Sequence, residues 1–518
     1  MLEEALNKPA VRPEPVKGRT ASAKISRHRV RSWFDKLTTN GLNNKGYYAT
    51  FVVVMTLTGC VSLAPDYQRP AVELPAGWAG PEGRDAASFG AAWWKFYGDE
   101  QLDRLVEEAL AHNADLQLAV ARVDEARALL GQTRSGQFPT VDAGLDARRT
   151  QSSLRTATPL PPGTARETND YRAALNVSYE VDLWGRLRDA TAAARAELLA
   201  TDAARETVRI ALAAGVVQGY FALRAFDEQL AATQRSLATR TESLALQKMR
   251  YENGLISEFE YHQLEAEVLA ARAQLPVLER SRAGQENALA VLLGRSPRAI
   301  YEGTVVETAA ITGETGGEPP LLAVPAGMPS ELLLRRPDLV ETEHRLIAAN
   351  ARIGVARAAY FPSITLTGFR GSESTELSDL FTGAARASSV AAAVAQPIWN
   401  AGRIASQVQA ANARERQALA QYQRAIQNAF REVRDAIVAQ IKTREQFDAE
   451  NQRVTALRST LRLAQLRYAN GVASQLDVLD AERNLLAAEL NRSDALRAQR
   501  TAAADLFRAL GGGWGAGV

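Results

Sequence analysis

The chain has 518 residues, 46% of them hydrophobic and 23% charged, which is too apolar for a disordered chain and enough for a large folded body. Its formal charge of +2 divides unevenly: residues 1–59 carry ten Lys/Arg against four Asp/Glu, a net +6, which leaves −4 on residues 60–518. A nearly neutral body excludes the electrostatic signature of nucleic-acid binding, and one cysteine, Cys60, excludes an intrachain disulfide.

The first feature in chain order is a leader. No charge occurs between Lys45 and Asp66, and the apolar stretch Ala49 to Leu57 is about half the length a membrane-spanning helix needs. Basic residues precede it and small ones follow, as in a signal peptide. It ends Leu57-Thr58-Gly59-Cys60, which resembles the lipobox of bacterial lipoproteins. That resemblance implies an acylated Cys60 as the first mature residue, anchored in lipid. The next residue is Val61 rather than Asp, which by the same resemblance implies sorting to the outer membrane.

After the leader the grammar is regular. A helix is expected from Gln101 to about Gln137, stopped by Pro139. Residues 140–147 alternate only partly, and a Ser/Thr/Gly/Pro-rich loop follows from Gln151 to Asp170. From Tyr171 to Leu183 the alternation is strict. Tyr171, Ala173, Leu175, Val177, Tyr179, Val181 and Leu183 face one way and polar residues mostly the other. The run exceeds the 9–11 residues or so that a tilted strand needs to cross a membrane. Arg186 to Tyr251 then reads as one helix of about 100 Å, Gly254 as its turn, and the stretch up to Gly294 as a return arm of about 60 Å. A Gly/Pro-rich segment, 295–330, reads as a connection.

The same order then recurs. A helix is expected from Pro337 to about Tyr360, stopped by Pro362. A partly alternating stretch, 363–370, a loop, Gly371–Ser388, and a strand at Val390, Ala392 and Val394 closed by Pro397 follow. Last comes a long helical run with a turn at Gly471. Asp115, Leu116, Phe138 and Pro139 match Asp338, Leu339, Phe361 and Pro362 at an offset of 223. Arg250, Tyr251, Asn253 and Gly254 match Arg467, Tyr468, Asn470 and Gly471 at 217. Two copies of one unit are expected, at 99–294 and 331–518, behind a leader, 1–59, and an N-terminal segment, 60–98. Two strands per unit make four per chain, too few to close a membrane barrel, so several chains must share one.

The combination of Trp94-Lys95-Phe96 with Asp99 and Leu102, Pro329 to Asp338, Phe361-Pro362-Ser363, Pro397 to Arg403 and Asp477 to Ala481 resembles the outer-membrane factor family of TolC- and OprM-like channels, in its NodT-like lipoprotein branch. The resemblance covers roughly residues 60–513. It implies a mainly α chain with a small β contribution, assembled as a homotrimer: a twelve-stranded β-barrel in the outer membrane, continuous with a twelve-helix periplasmic α-barrel. It also implies docking to a periplasmic adaptor and an inner-membrane pump, often of the resistance-nodulation-division class, with no cofactor. The hairpin tips would carry the docking surface, at Gly254, Gly471, Arg250, Tyr251 and Arg467, and a gate. Tyr468, Asp477 and Asp480 match the family's gate positions, and Glu260 takes the place of an Asp. Ala473 replaces a family Arg, which leaves Arg467 or Arg250 as the expected partner of Asp480. A periplasmic adaptor lipoprotein and a lipid-anchored coiled-coil protein are the alternatives. The four scattered histidines, His28, His112, His262 and His344, and the lack of a phosphate loop or nucleophile elbow give an enzyme no catalytic constellation.

Overall fold

The computed structural model describes residues 62–75, 84–155, 157, 161–303, 321–323 and 328–512. The leader, Cys60 and most of the connecting segment lie outside the described residues. A 3₁₀ segment, Ala86–Tyr97, opens the body. It is followed by helices α1 (Glu100–His112) and α2 (Ala114–Ser135), strands β2 (Thr140–Gln151) and β3 (Glu167–Val181), and helices α3 (Arg186–Glu252) and α4 (Glu258–Leu292). After a short helix, α5 (Pro297–Tyr301), come α6 (Met328–Arg335), α7 (Pro337–Ala358), β5 (Ser363–Ser374), β6 (Arg386–Ala395), α8 (Arg403–Ala469) and α9 (Gln475–Ala509). Two-residue strands β1 (Arg84–Asp85) and β4 (Leu322–Ala323) pair in parallel, so the connecting segment 295–330 holds the helix α5 and the strand β4.

Element lengths recur. The helices α2 and α7 have 22 residues each, α3 and α8 have 67, and α4 and α9 have 35. At 1.5 Å per residue, 67 residues span about 100 Å and 35 about 52 Å. The single helix expected from Gln101 to Gln137 is broken at Asn113, whose extended backbone (ψ 131°) ends α1 and starts α2. Asn113 serves two helices at once. Its Oδ1 accepts from the Leu116 amide at 3.0 Å, and its Nδ2 donates to the Leu292 carbonyl at 3.0 Å. The start of α2 is thereby set against the end of α4, and two free helix ends satisfy each other. Arg336 holds the corresponding joint in the second half. It precedes α7, donates from Nη1 to the Ala509 carbonyl at 2.9 Å, and pairs with Asp338 and Glu432 at 2.7 and 2.8 Å. Arg336 is buried, and three charge-assisted partners offset that burial.

The core lies at mid-height, where the joints meet the middles of the long helices. Trp93 stacks on Phe507 with centroids 5.0 Å apart, and Phe96 meets the same ring edge-on. Tyr220, Leu289, Leu339 and Tyr422 complete the cluster. Toward the sheet the packing changes character. On α3, Ala193, Ala196, Ala200 and Ala203 are buried at helical spacing, and α7 offers Ala348, Ala351, Gly354 and Ala358. Small residues let helix axes approach closely, which explains long helices with a low content of large apolar residues.

Strands β2, β3, β5 and β6 form one antiparallel sheet in that order. The pairings Val141↔Val177, Leu145↔Ala173, Tyr179↔Leu366 and Ile364↔Val394 put the apolar residues of all four strands on one face. That face is uncovered: Val390 is 93% exposed, Leu145 82% and Val394 66%. The other face carries Asp142, Asn176, Ser178 and Thr367, with the Arg172 guanidinium 4.0 Å from the Phe369 ring centroid. Both outer strands, β2 and β6, lack a further partner among the described residues. The loops are shorter than expected. Strand pairing extends to Gln151↔Glu167 and Ser372↔Arg386, so the loops narrow to 152–166 and 375–385, and β3 ends at Val181 rather than Leu183. At the sheet base Trp184 stacks on Phe361 (4.7 Å) and donates to the Pro362 carbonyl at 2.8 Å, while Phe138, Ile398 and Trp399 are exposed.

Candidate functional site

The far ends of the long helices turn at Gly254 (φ 70°) and Gly471 (φ 71°), a left-handed conformation that glycine adopts at no steric cost. Each turn is a Schellman cap. Leu255 N donates to the Arg250 carbonyl and Gly254 N to that of Tyr251; Val472 and Gly471 repeat the pattern on Arg467 and Tyr468. A capping box starts each return helix. The Glu260 carboxylate accepts from Ser257 N and Oγ at 2.9 and 3.1 Å, and Asp477 accepts from Ser474 N and Oγ at 2.8 and 2.9 Å. These bonds to Ser474 hold the Asp477 carboxyl below the usual carboxylate range. Glu260 and Asp477, singled out as gate acids, are thus first of all the residues that start α4 and α9.

Of the proposed gate residues, the structure places one across the two hairpins. The Tyr468 hydroxyl accepts from Gln247 Nε2 at 2.7 Å and from Arg250 Nη1 at 2.8 Å, so α8 is tied to α3. Gln247 is buried and also approaches Gln475 at 3.4 Å. The expected partners of Asp480 are corrected. Arg250 is taken by Tyr468, and Arg467 Nη2 reaches only the Val472 carbonyl, at 3.5 Å, within its own turn. The partner of Asp480 is Arg483, one helical turn on. Tyr251, the counterpart of Tyr468, stacks on Tyr261 of its own hairpin at 5.3 Å. The two tips share one backbone design and differ in what their tyrosines do. Four apolar side chains stand exposed at the turns, Leu255 and Phe259 on one and Val472 and Leu476 on the other.

Residues 105–295 and 328–512 match the outer membrane efflux protein family. The chain belongs to the outer membrane efflux protein family. The solvent efflux pump outer membrane protein SrpC of Pseudomonas putida is 37% identical over 471 residues, covering 89% of this chain and 97% of SrpC. The probable outer membrane lipoprotein SilC of Salmonella typhimurium is 34% identical over 465 residues, covering 89% and 97%. Among solved structures the CmeC outer membrane channel of Campylobacter jejuni superposes with a TM-score of 0.78 at 26% identity, covering 88% of this chain and 95% of CmeC. The chain is an outer-membrane efflux channel protein, mainly helical with few strands, and the adaptor and coiled-coil alternatives fall away.

Sequence reasoning missed three features of this efflux protein. Gln247 is one; in the sequence it is an unremarked polar position on a long helix. A second is a charged cluster set into the bundle above the tips. Arg240 on α3, only 3% exposed, donates from Nη1 to Glu267 Oε2 on α4 at 3.0 Å. Its Nε lies 3.8 Å from Glu482 Oε2 on α9. The third is a strap. Residues 62–69 lie along α7, held by Arg69 to Glu343 at 2.7 and 2.8 Å and Tyr67 to Glu343 at 3.1 Å. Asn350 to the Pro65 carbonyl (2.6 Å), Arg357 to the Leu63 carbonyl (3.1 Å) and Ser62 to Asp189 (2.7 Å) continue it toward the sheet.

Proposed function

We propose that this chain is the outer-membrane subunit of a tripartite efflux system and works as a homotrimer. In it, three sheets close a twelve-stranded barrel, and six hairpins form a periplasmic helical tunnel that conducts exported substrates passively. The observation that carries this reading is the four-stranded sheet with one bare apolar face and two open edges, mounted on helices of about 100 Å. An apolar band facing outward is what lipid requires, and edge groups in lipid must be paired, so the sheet must close on copies of itself. The polar face then lines the lumen. Phe138, Trp184, Phe361 and Trp399 at the sheet base suit the membrane interface.

The two series of equal helices support two copies of one unit, 99–294 and 331–518. The exposed pairs Leu255/Phe259 and Val472/Leu476 at the tips suit a periplasmic adaptor that leads to an inner-membrane pump. SrpC is named for a solvent efflux pump and CusC for a cation efflux system, which favours a pump partner; the resistance-nodulation-division class is what the family resemblance implies. Acylated Cys60 would add a lipid anchor, and the strap supports this because Ser62, two residues on, is held at the sheet end of α7 and α3. Purified protein reconstituted in planar bilayers should form discrete channels, and cross-linking should stop at the trimer; failure of both overturns the proposal.

Two further outcomes are expected. Labelled palmitate enters the wild type and not Cys60→Ser; equal labelling of both removes the anchor. The Cys60→Ser barrel should still hold the protein in the membrane. Epitope tags placed within 152–166 and 375–385 are reached by antibody on intact cells, whereas tags beside Gly254 or Gly471 are not. The opposite pattern would invert the topology.

A further inference from the structure

The charged cluster around Arg240 is a buried group of ions that joins the two hairpins, and neither the tip contacts nor the channel wall account for it. Arg240 is held on one side only. Its Nη1 bonds the Glu267 side chain and, at 3.3 Å, the Glu267 carbonyl, both within its own hairpin. Its other edge faces Glu482 of the second hairpin, but 3.8 Å is too long for a hydrogen bond. Among the described residues neither Arg240 Nε nor Glu482 Oε2 has a hydrogen-bond partner. Both side chains are more than nine-tenths buried. A buried guanidinium with an unused donor beside a buried carboxylate with an unused acceptor is costly unless the two meet.

The surroundings leave the Glu482 side chain room to move. A cavity of about 170 Å³ opens beside Glu482, lined by Thr239, Leu461, Leu485 and Glu489. An approach of about 0.8 Å would bring Nε and Oε2 to hydrogen-bond length. The cluster holds one positive charge between two carboxylates, while Arg483 pairs with Asp480 and lies 3.6 Å from Glu267. Arg240 bonds within its own hairpin here, and a bond across to Glu482 is a small shift away.

We propose that Arg240 and Glu482 form a second latch between the hairpins, set above the tips. The tips are shut when Arg240 bridges to Glu482 and free to part when it bonds Glu267 alone. This adds a gate to the reading of the chain as an efflux channel and rests on that reading. Arg240 is a positioning residue here; it need not touch the transported molecule. The latch acts about 18 Å from the end of α3, so it works alongside the Tyr468 contact rather than through it.

Acid should release it. Burial pushes the Glu482 carboxyl up, against the pull of Arg240 and with the help of Glu267. Glu482 therefore takes up its proton at a higher pH than an exposed glutamate, and the neutral form no longer holds Arg240. The charged groups facing it are Arg240 and Arg235 on α3, Glu267 on α4 and Glu489 on α9, and Glu489 is itself bound by Arg458 of α8.

The test is single-channel conductance of the full chain in planar bilayers across a pH series. Glu482→Gln, and Glu482→Met as a variant of similar volume, should conduct severalfold more than wild type at neutral pH. The rise in wild-type conductance on acidification should be absent from both. Arg240→Gln should add less in the Glu482→Gln background than alone. Assembled Glu482 variants that match wild type in conductance and in pH profile would overturn the latch. A wild type that forms no channel overturns the channel reading instead.

Discussion

Tyr468→Phe combined with Asp480→Ala is expected to raise single-channel conductance strongly. The Tyr468 hydroxyl accepts two hydrogen bonds from the opposite hairpin, one from a cation. Removing it leaves the buried Gln247 amide and the Arg250 guanidinium without that acceptor, a cost of about 1–3 kcal/mol. In a threefold assembly the loss is repeated around the axis. At about 1.4 kcal/mol per protomer, a concerted opening equilibrium shifts by roughly a thousandfold. Loss of Asp480 releases Arg483 at the same level; this exposed pair contributes little alone, about 0–1 kcal/mol. Asp477→Ala should behave differently. Its carboxylate closes the capping box of α9 and stays ionised, so its removal loosens the start of that helix and weakens block by multivalent cations. Unchanged conductance in the double variant, with trimers intact, would take Tyr468 and Asp480 out of the gate. Unchanged block would leave Asp477 a cap alone.

Gly354→Ala is expected to lift the strap off α7. A Cβ at this position would collide with Asp189 Oδ2 and lie 2.6 Å from the Ala64 amide nitrogen and 2.9 Å from its Cα. Backbone stands in the way on one side, and on the other the buried Asp189 carboxylate, which is held by Ser62 of the strap itself. Overpacking of this kind costs about 1–3 kcal/mol, and the affordable response is release of residues 62–69. Amide exchange should then speed up across that stretch while the helical circular dichroism is unchanged. Glu343→Gln should free only the Arg69 and Tyr67 end, because Asn350, Arg357 and Asp189 still hold the rest. Equal protection of residues 62–69 in wild type and Gly354→Ala would remove the strap's dependence on the glycine.

The parts legible in the sequence were those with a strong period or a strong punctuation mark. Strict alternation from Tyr171 gave β3. The absence of proline gave the long helices, and Gly254 and Gly471 gave their turns to the residue. The break at Asn113 was missed because helical periodicity continues on both sides of it. What breaks the helix there is a side chain that caps α2 and bonds the end of α4, 179 residues away. The loop ends were set too wide because strand pairing, not composition, decides how far β2, β3, β5 and β6 run. At the tips the spacing from glycine to acid was read as a gate signal, and the same spacing is a capping box. Both roles use a carboxylate at one position, so spacing alone does not separate them. Arg240, Glu482 and Gln247 carried no signal, since a buried polar residue on a long helix is recognised only once its neighbours are known.

The open edges of the sheet also bear on how the protein reaches its final state. A strand edge pairs with any complementary edge, and β2 of one copy meets β6 of another whether or not the angle between them closes a ring. Closed rings stop growing, whereas head-to-tail pairing at a slightly wrong angle continues as a filament. If the barrel is shared between copies as proposed, every molecule passes through a period in which it is both incomplete and adhesive. Confining it to a surface before its edges are free would change that contest. A tethered chain meets its neighbours in one orientation and at one depth, so the ring becomes the fastest product. The short strap that holds Ser62 beside the sheet base would then be a device of assembly kinetics, finished with its task once the third copy has arrived.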